Sequence, residues 1–552
     1  MMRKKSTTEF KIWNSLAFLS FGVFAFFFLF PLIKMLINGF FTNGKLDFSP
    51  YVKIFTSEYY LTAIKNSFKV STTVTLISIV TGLTFSLIVR HYNIKFKKVV
   101  DILLLVSSIT PPFLGSYSWI VLFGRVGVVT KFFNKLLNTT LPGIYGFWGI
   151  VFTHVVSSTA TMYMYTSGAL KNIDNSLNEC AENLGCTGIR KIMKITIPLI
   201  LPSVLSTALL VFMGAFADFG TPKLIGEGYN VLATLIYNSF ISEVSRDAST
   251  ASALSAITLI FTSIVFVLQN WISTRKTIEM NALHPIEQKD PKGFVAIITH
   301  LYVYVCTLLT VLPIGVVTYN SFQNSNGLFF LPGFSLKSYK SVFKKMSASL
   351  TRTYVYGFIA LFAILVIGIC ISYASVRHKS KFTAVADTIT VFPLVVPGTV
   401  MGIALLTAFN GKPFYLNGTP FIIIAAWVTR RLPYTIRSTN AVLHNISSSI
   451  EEASQSLGAN GLHTFFKVTF PIMFSGVLPG ALLSWVAAIT EISASVMVYT
   501  NKTTTMAIQI YSSILLGNYG EAAALSTILL ASALLVLGIL FKFTKGKFEF
   551  SL

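Results

Sequence analysis

Charge is what this sequence has least of. Only 11% of its 552 residues are Asp, Glu, Lys or Arg, while 53% are hydrophobic; soluble globular chains carry roughly a quarter charged residues. A soluble globular chain is therefore excluded, and a polytopic membrane protein is implied. Acids are scarcer than bases, 20 against 43, which leaves a net charge of +23. No basic motif is interleaved with stacking aromatics on a polar stretch, so the charge does not point to nucleic acid. It fits cytoplasmic loops that follow the positive-inside rule and meet anionic lipid. Cysteine is also sparse: Cys180, Cys186, Cys306 and Cys370 form no CxxC pair, which argues against a disulfide framework or a zinc site. The seven histidines are scattered, with no His-Glu-x-x-His spacing. There is no Gly-x-x-x-x-Gly-Lys-Ser/Thr loop to cradle a nucleotide and no Gly-x-Ser-x-Gly elbow. No catalytic residue and no metal-ligand set is expected, and the chain is not read as an enzyme.

What is present is long apolar runs. About 20 apolar residues cross a bilayer as a helix. Such runs fall near 13–37, 67–89, 99–123, 144–166, 197–217 and 250–272, then near 294–319, 353–376, 384–409, 420–442, 472–498 and 522–543. This predicts an all-α fold of about twelve membrane helices, six per half. Arg3, Lys4 and Lys5 precede the first run, which reads as an uncleaved first span. Residues 1–280 form the first repeat, 281–293 a linker with Pro285 and Pro291, and 294–552 the second repeat. Lys and Arg cluster in Arg90–Lys98, Lys171–Lys194, Arg275–Lys292, Arg377–Lys381 and Arg430–Lys467. All lie on one side if both termini are cytoplasmic. An even number of spans per half makes the repeat parallel, related by an axis along the membrane normal.

One polar stretch occurs twice. The first copy is Glu179-Cys-Ala-Glu-Asn-Leu-Gly185 followed by Pro198; the second is Glu452-Ala-Ser-Gln-Ser-Leu-Gly458 followed by Pro471. The copies lie 273 residues apart, and each keeps the same spacing from glutamate to glycine to proline. Ser176-x-x-Glu179 and Ser449-x-x-Glu452 read as capping boxes. Gly185 and Gly458 are expected to close the helices in the left-handed conformation. Short second helices are expected over 188–195 and 461–468. Pro198 and Pro471 then suit the first turn of the next membrane helix.

This repeated pattern resembles the Glu-Ala-Ala loop of permease subunits of ATP-binding-cassette importers, departing from it at Cys180 and Ser454. The resemblance implies a docking helix that fits a cleft on an ATPase subunit, with Glu179, Ala181, Gly185, Glu452, Ala453 and Gly458 as docking residues over 174–195 and 447–470. It further implies two copies of a separate ATPase that holds ATP and Mg, an extracytoplasmic substrate-binding protein, and alternating access between the halves. Ala217-Asp-Phe-Gly-Thr-Pro222, Thr490-Glu-Ile-Ser-Ala-Ser495 and Arg430-Arg-Leu-Pro-Tyr434 resemble the fused, two-repeat permeases of ferric-iron importers. The likeness covers nearly the whole chain. Permeases for thiamine, polyamines and 2-aminoethylphosphonate share much of the pattern, so these cargoes stay open beside iron. A secondary transporter is the rival class.

Asp218 and Glu491 also lie 273 residues apart, at the end of the fifth span of each half. A carboxylate at membrane depth is costly and usually faces a cavity or a partner. Two readings stand. The pair flanks the substrate path, or each acid caps a loop at the outer interface. Arg430, Arg431 and Arg437 invite a phosphate-site reading, but the favoured expectation is that they snorkel to lipid headgroups or bind carbonyls at a helix end, and that His154 makes a packing hydrogen bond between helices.

Overall fold

The computed structural model describes residues 7–42, 44–241, 247–275 and 288–543. Most of the 281–293 linker, with Pro285, lies outside them. The described chain is helical, with three two-stranded hairpins as its β-structure. Among the described residues eight helices are long and apolar enough to cross a membrane, or ten if each of two bent pairs counts as one span. Two of the twelve expected spans are long enough but not apolar enough to be counted: Phe147–Lys171 and Pro420–Asn445, of 25 and 26 residues. They hold His154 and the arginines 430, 431 and 437, which lower their hydropathy without breaking the helix.

Two expected spans are not continuous. The run 99–123 is split into Lys97–Ile109 and Pro112–Phe123. The run 384–409 is split into Lys381–Leu394 and Gly398–Phe409, which meet at 112°. Proline is the cause in both. Pro111 and Pro397 have ψ of 135° and 147°, and each is followed by a new helix. A proline offers no amide hydrogen and holds the residue before it extended. The eleventh expected span, 472–498, is also shorter than read: its helix stops at Ile489 and the chain turns through Glu491.

The two halves are not packed separately. The first helix, Thr7–Phe40, lies against the second half. Lys34 Nζ donates to Ala408 O at 3.1 Å, and the Phe26 and Phe409 rings sit 5.5 Å apart. The helix that opens the second half, Gly293–Ser321, lies against the first. Ser107 Oγ and Ser118 Oγ each donate at 2.8 Å, to the carbonyls of Thr310 and Pro313. Tyr302 Oη donates to Thr81 O at 2.9 Å. One apolar core runs through both halves, joining Phe113, Tyr117 and Phe219 to Trp427, Tyr511 and Leu525. Tyr117 Oη donates to Tyr519 O at 2.6 Å within it.

Candidate functional site

Two candidate docking elements and two buried acids, each pair related by the same 273-residue shift, make up the candidate site. The first docking helix is Asn175–Asn183 and the second Ser448–Ser456. Their caps differ from the expected serines. Asp174 Oδ1 accepts from the Ser176 amide at 2.9 Å, and Ser447 Oγ accepts from the Ser449 amide at 3.3 Å. Both capping residues have extended backbone, as an N-cap requires. Ser176 and Ser449 therefore lie inside the first turn, and no capping box forms with Glu179 or Glu452. Glu179 instead accepts from Asn175 Nδ2 at 2.8 Å, one turn back.

The C-termini match closely. Gly185 and Gly458 have φ of +78° and +95°. The amides of Gly185 and Cys186 donate to Glu182 O and Ala181 O at 2.9 and 2.8 Å. Those of Gly458 and Ala459 donate to Gln455 O and Ser454 O at 3.0 and 3.2 Å. This is a Schellman closure in both copies. A Cβ at either glycine would meet nothing within 4 Å, so glycine is needed for its backbone angle and not for space.

The second helices do not end before the prolines. Gly188–Ala217 runs unbroken through a π-helical turn at Ile192–Thr196, and the second copy has the same turn at Phe465–Thr469. The amides of Ile197 and Phe470 donate five residues back, to Ile192 O and Phe465 O. Pro198 and Pro471 follow immediately. A proline clashes with the carbonyl four residues before it; here those carbonyls, of Lys194 and Lys467, belong to the widened turn. The proline thus sits inside a continuous helix, with the π turn absorbing it.

Around the helices Asn175–Asn183 and Ser448–Ser456 large apolar side chains face outward. Leu184 and Leu457 are 86% and 90% exposed. Ile189 and Leu462, Met193 and Phe466, and Leu177 and Ile450 are exposed as well. Every one of these pairs is again 273 residues apart. Glu179 and Glu452 lie exposed beside them, as do Cys180 and Ala453, while Ala181 is buried.

Asp218 ends the helix Ile197–Ala217. Its Oδ2 accepts from the Thr221 amide at 2.9 Å and its Oδ1 from the Gly220 amide at 3.2 Å. His154 Nε2 lies 3.2 Å from Oδ2, with both side chains largely buried. Glu491 is 3% exposed and accepts from the Ala494 amide at 3.1 Å. Arg430 Nη1 and Arg431 Nη2 each pair with one of its oxygens. So each acid caps the turn after the fifth span, accepting from the amide three residues on, and each is also paired with base from the fourth span.

Arg430 and Arg431 are accordingly part-buried partners of the buried Glu491, turned inward and not out to headgroups, and His154 is the partner of Asp218. A readable signal for the arginines was a span that carries two of them ahead of an acid in the next span. A charge buried alone would be far costlier than one so paired. At the position matching His154 the second half has Trp427, whose Nε1 donates to Ser495 Oγ at 2.9 Å.

The model of the family described as "Binding-protein-dependent transport system inner membrane component" matches residues 75–278 and 364–549, with one copy of the repeated Glu-to-Gly stretch in each. The chain is similar to the ferric transport system permease protein FbpB of Actinobacillus pleuropneumoniae, 30% identical over 92% of this chain and 74% of that one. It is 29% identical to a putative ferric transport system permease protein, FbpB 1, of Haemophilus influenzae, over 87% of this chain and 76% of the relative. A putative 2-aminoethylphosphonate transport system permease protein, PhnV, of Salmonella paratyphi A is 28% identical over 41% of this chain and 86% of its own length. With both of its repeats matched, this all-α, multi-pass chain belongs to the family of binding-protein-dependent transport system inner membrane components and is a permease, the transport subunit of an importer.

Proposed function

We propose that the chain is the translocation subunit of an ATP-driven importer of ferric iron. Two copies of a separate ATPase, which bind the ATP and Mg, dock on the loops at 174–195 and 447–470, and an extracytoplasmic binding protein delivers the cargo. The observation that carries the docking is the matched set of exposed apolar residues, led by Leu184 and Leu457, on two helices closed by the same Schellman turn. Exposed apolar patches rimmed by polar residues mark protein interaction sites. Glu179, Ala181 and Gly185, with Glu452, Ala453 and Gly458, build those helices. The loops are rich in Lys and Arg, which supports a cytoplasmic position for them and for both termini.

Iron is supported by the two ferric permease relatives, each covering most of the chain. The phosphonate permease relative matches 41% of the chain, which keeps 2-aminoethylphosphonate as the second reading. Asp218 and Glu491, at matched positions after the fifth span, are proposed to stand beside the substrate path. Because both are already paired and capping, they would act there by fixing the turns that bound the path. The test of docking is co-purification. Wild-type chain should carry the ATPase with it, and Leu184→Asp with Leu457→Asp should lose it while still reaching the membrane. An intact complex in the double variant would refute the docking assignment.

A further inference from the structure

Glu451, next to the docking glutamate Glu452, is buried between three elements. Arg377 ends the helix Ser347–Arg377, and its Nε donates to Glu451 Oε1 at 3.1 Å. The same oxygen accepts from Thr469 Oγ1 at 3.0 Å, in the π turn that leads into the fifth span. Arg377 Nη2 donates to Ile446 O at 2.7 Å, just before the docking helix. The Arg377 and Glu451 side chains are 9% and 8% exposed. Beside this clamp Trp13, from the first helix of the chain, packs on Tyr373 and Phe465 with ring centroids 4.4 and 4.6 Å away.

The first docking helix has the same sites with the clamp missing. Asn178 stands 273 residues before Glu451, Thr196 before Thr469 and Ile192 before Phe465. Arg90 lies at the end of its own second span, as Arg377 does. Asn178 and Thr196 are buried. Asn178 Oδ1, Thr196 Oγ1 and Arg90 Nε have no hydrogen-bond partner among the described residues. A carboxylate accepts from several donors and holds a guanidinium by charge; an amide offers one neutral acceptor oxygen. The acid joins Arg377 and Thr469 in the second copy; in the first, Lys191 Nζ instead donates to Glu182 Oε1 at 2.5 Å, and that carboxylate is 41% exposed.

We propose that Glu451 is a positioning residue that fastens the second docking helix to its membrane helices through Arg377 and Thr469, and that the first docking helix, with Asn178, lacks this clamp and is tied to Gly188–Ala217 by the more exposed Glu182–Lys191 pair. The two ATPase positions then drive the chain unequally. This rests on the docking reading above. Displacement of the second helix is passed directly to Ser347–Arg377 and to the fifth span, since packed and paired elements move together. A shift of the first helix against its span strains only the Glu182–Lys191 pair, whose carboxylate is 41% exposed, and exposed pairs contribute little.

The test uses the full chain with its ATPase and binding protein in liposomes, reading labelled ferric iron carried per ATP hydrolysed. Glu451→Gln is expected to lower that ratio by about fivefold or more, the lower end of ordinary coupling between sites, with the ATPase still bound. Asn178→Ala is expected to change it less than about twofold, and Glu451→Asp to recover part of the loss. Equal effects at 178 and 451, or an unchanged ratio in Glu451→Gln, would overturn the asymmetry while leaving docking intact. Wild-type chain that fails to retain the ATPase would overturn the docking reading itself. Should Glu451→Gln not reach the membrane, Thr469→Val and Thr196→Val replace the pair: only the first should lower the ratio, and equal effects would again count against the proposal.

Discussion

Glu491 is held by Arg431 on one oxygen and by Arg430 on the other, whereas its counterpart Asp218 faces one histidine, His154, at 3.2 Å. The pseudo-symmetric acids thus sit in unequal charge environments. Removing Glu491 leaves two part-buried guanidinium groups side by side; removing Asp218 leaves a single imidazole.

Glu491→Gln should therefore be the more damaging change. Breaking one side of a buried pair costs about 3–5 kcal/mol, and thermal unfolding in detergent should show that loss. Asp218→Asn keeps an acceptor for one of the Gly220 and Thr221 amides, which bond to different oxygens, and should cost about 1–3 kcal/mol, the range for one poorly satisfied buried group. Arg430→Gln made together with Glu491→Gln should recover part of the first loss.

Gly398 opens the second arm of the broken helix, and a Cβ there would lie 2.4 Å from Ser493 Cβ and 2.8 Å from Arg430 Nη1. Gly398→Ala should therefore cost about 1–3 kcal/mol through overpacking. Gly411→Ala, where a Cβ meets nothing within 4 Å, should be close to neutral in the same melt.

Asp247 precedes the helix Ala248–Arg275 and lies outside the spans. Burial opposes its charge, but hydrogen bonds from the Thr250 side chain and amide, then from Lys53 and Ser249, outweigh it and hold the carboxyl well below the usual carboxylate range. The Asp247 hydrogen bond holds the Lys53 ammonium above the usual lysine range. For the acid, the depressed value gives stability that is complete above the ordinary carboxylate range and lost as pH falls through the depressed one. For Lys53, the raised value gives stability that is complete below the ordinary lysine range and lost as pH rises through the raised one. Between about pH 5 and 9 the pair should contribute evenly. Lys53→Met should cost under about 1 kcal/mol, being an exposed pair, and Asp247→Ala about 1 kcal/mol more through the lost cap. Melts at several pH values in that window check both.

Much of the architecture was legible because the repeat keeps one register. The 273-residue shift that aligns Gly185 with Gly458 also aligns Leu184 with Leu457 and Asp218 with Glu491. What escaped the sequence depends on neighbours far along the chain or on local competition. Asp174 and Ser447 take the caps because they precede the first helical residue, a shift of two that Ser176 and Ser449 concealed. In the run Glu451-Glu452 nothing local tells the buried acid from the exposed one; Arg377, 74 residues away, decides it. The pairing of Arg431 with Glu491 spans 60 residues, whereas its place near the end of a span pointed to lipid headgroups or helix-end carbonyls. The split third spans were signalled by Pro111 and Pro397, but apolar length masked them.

The most direct test is labelled ferric iron uptake by cells that lack this chain, with the chain returned in the presence or absence of the ATPase partner. Uptake restored only when both are present is the predicted result. Uptake that persists without the ATPase, as a secondary transporter would give, or restoration of 2-aminoethylphosphonate uptake and not iron, would contradict it.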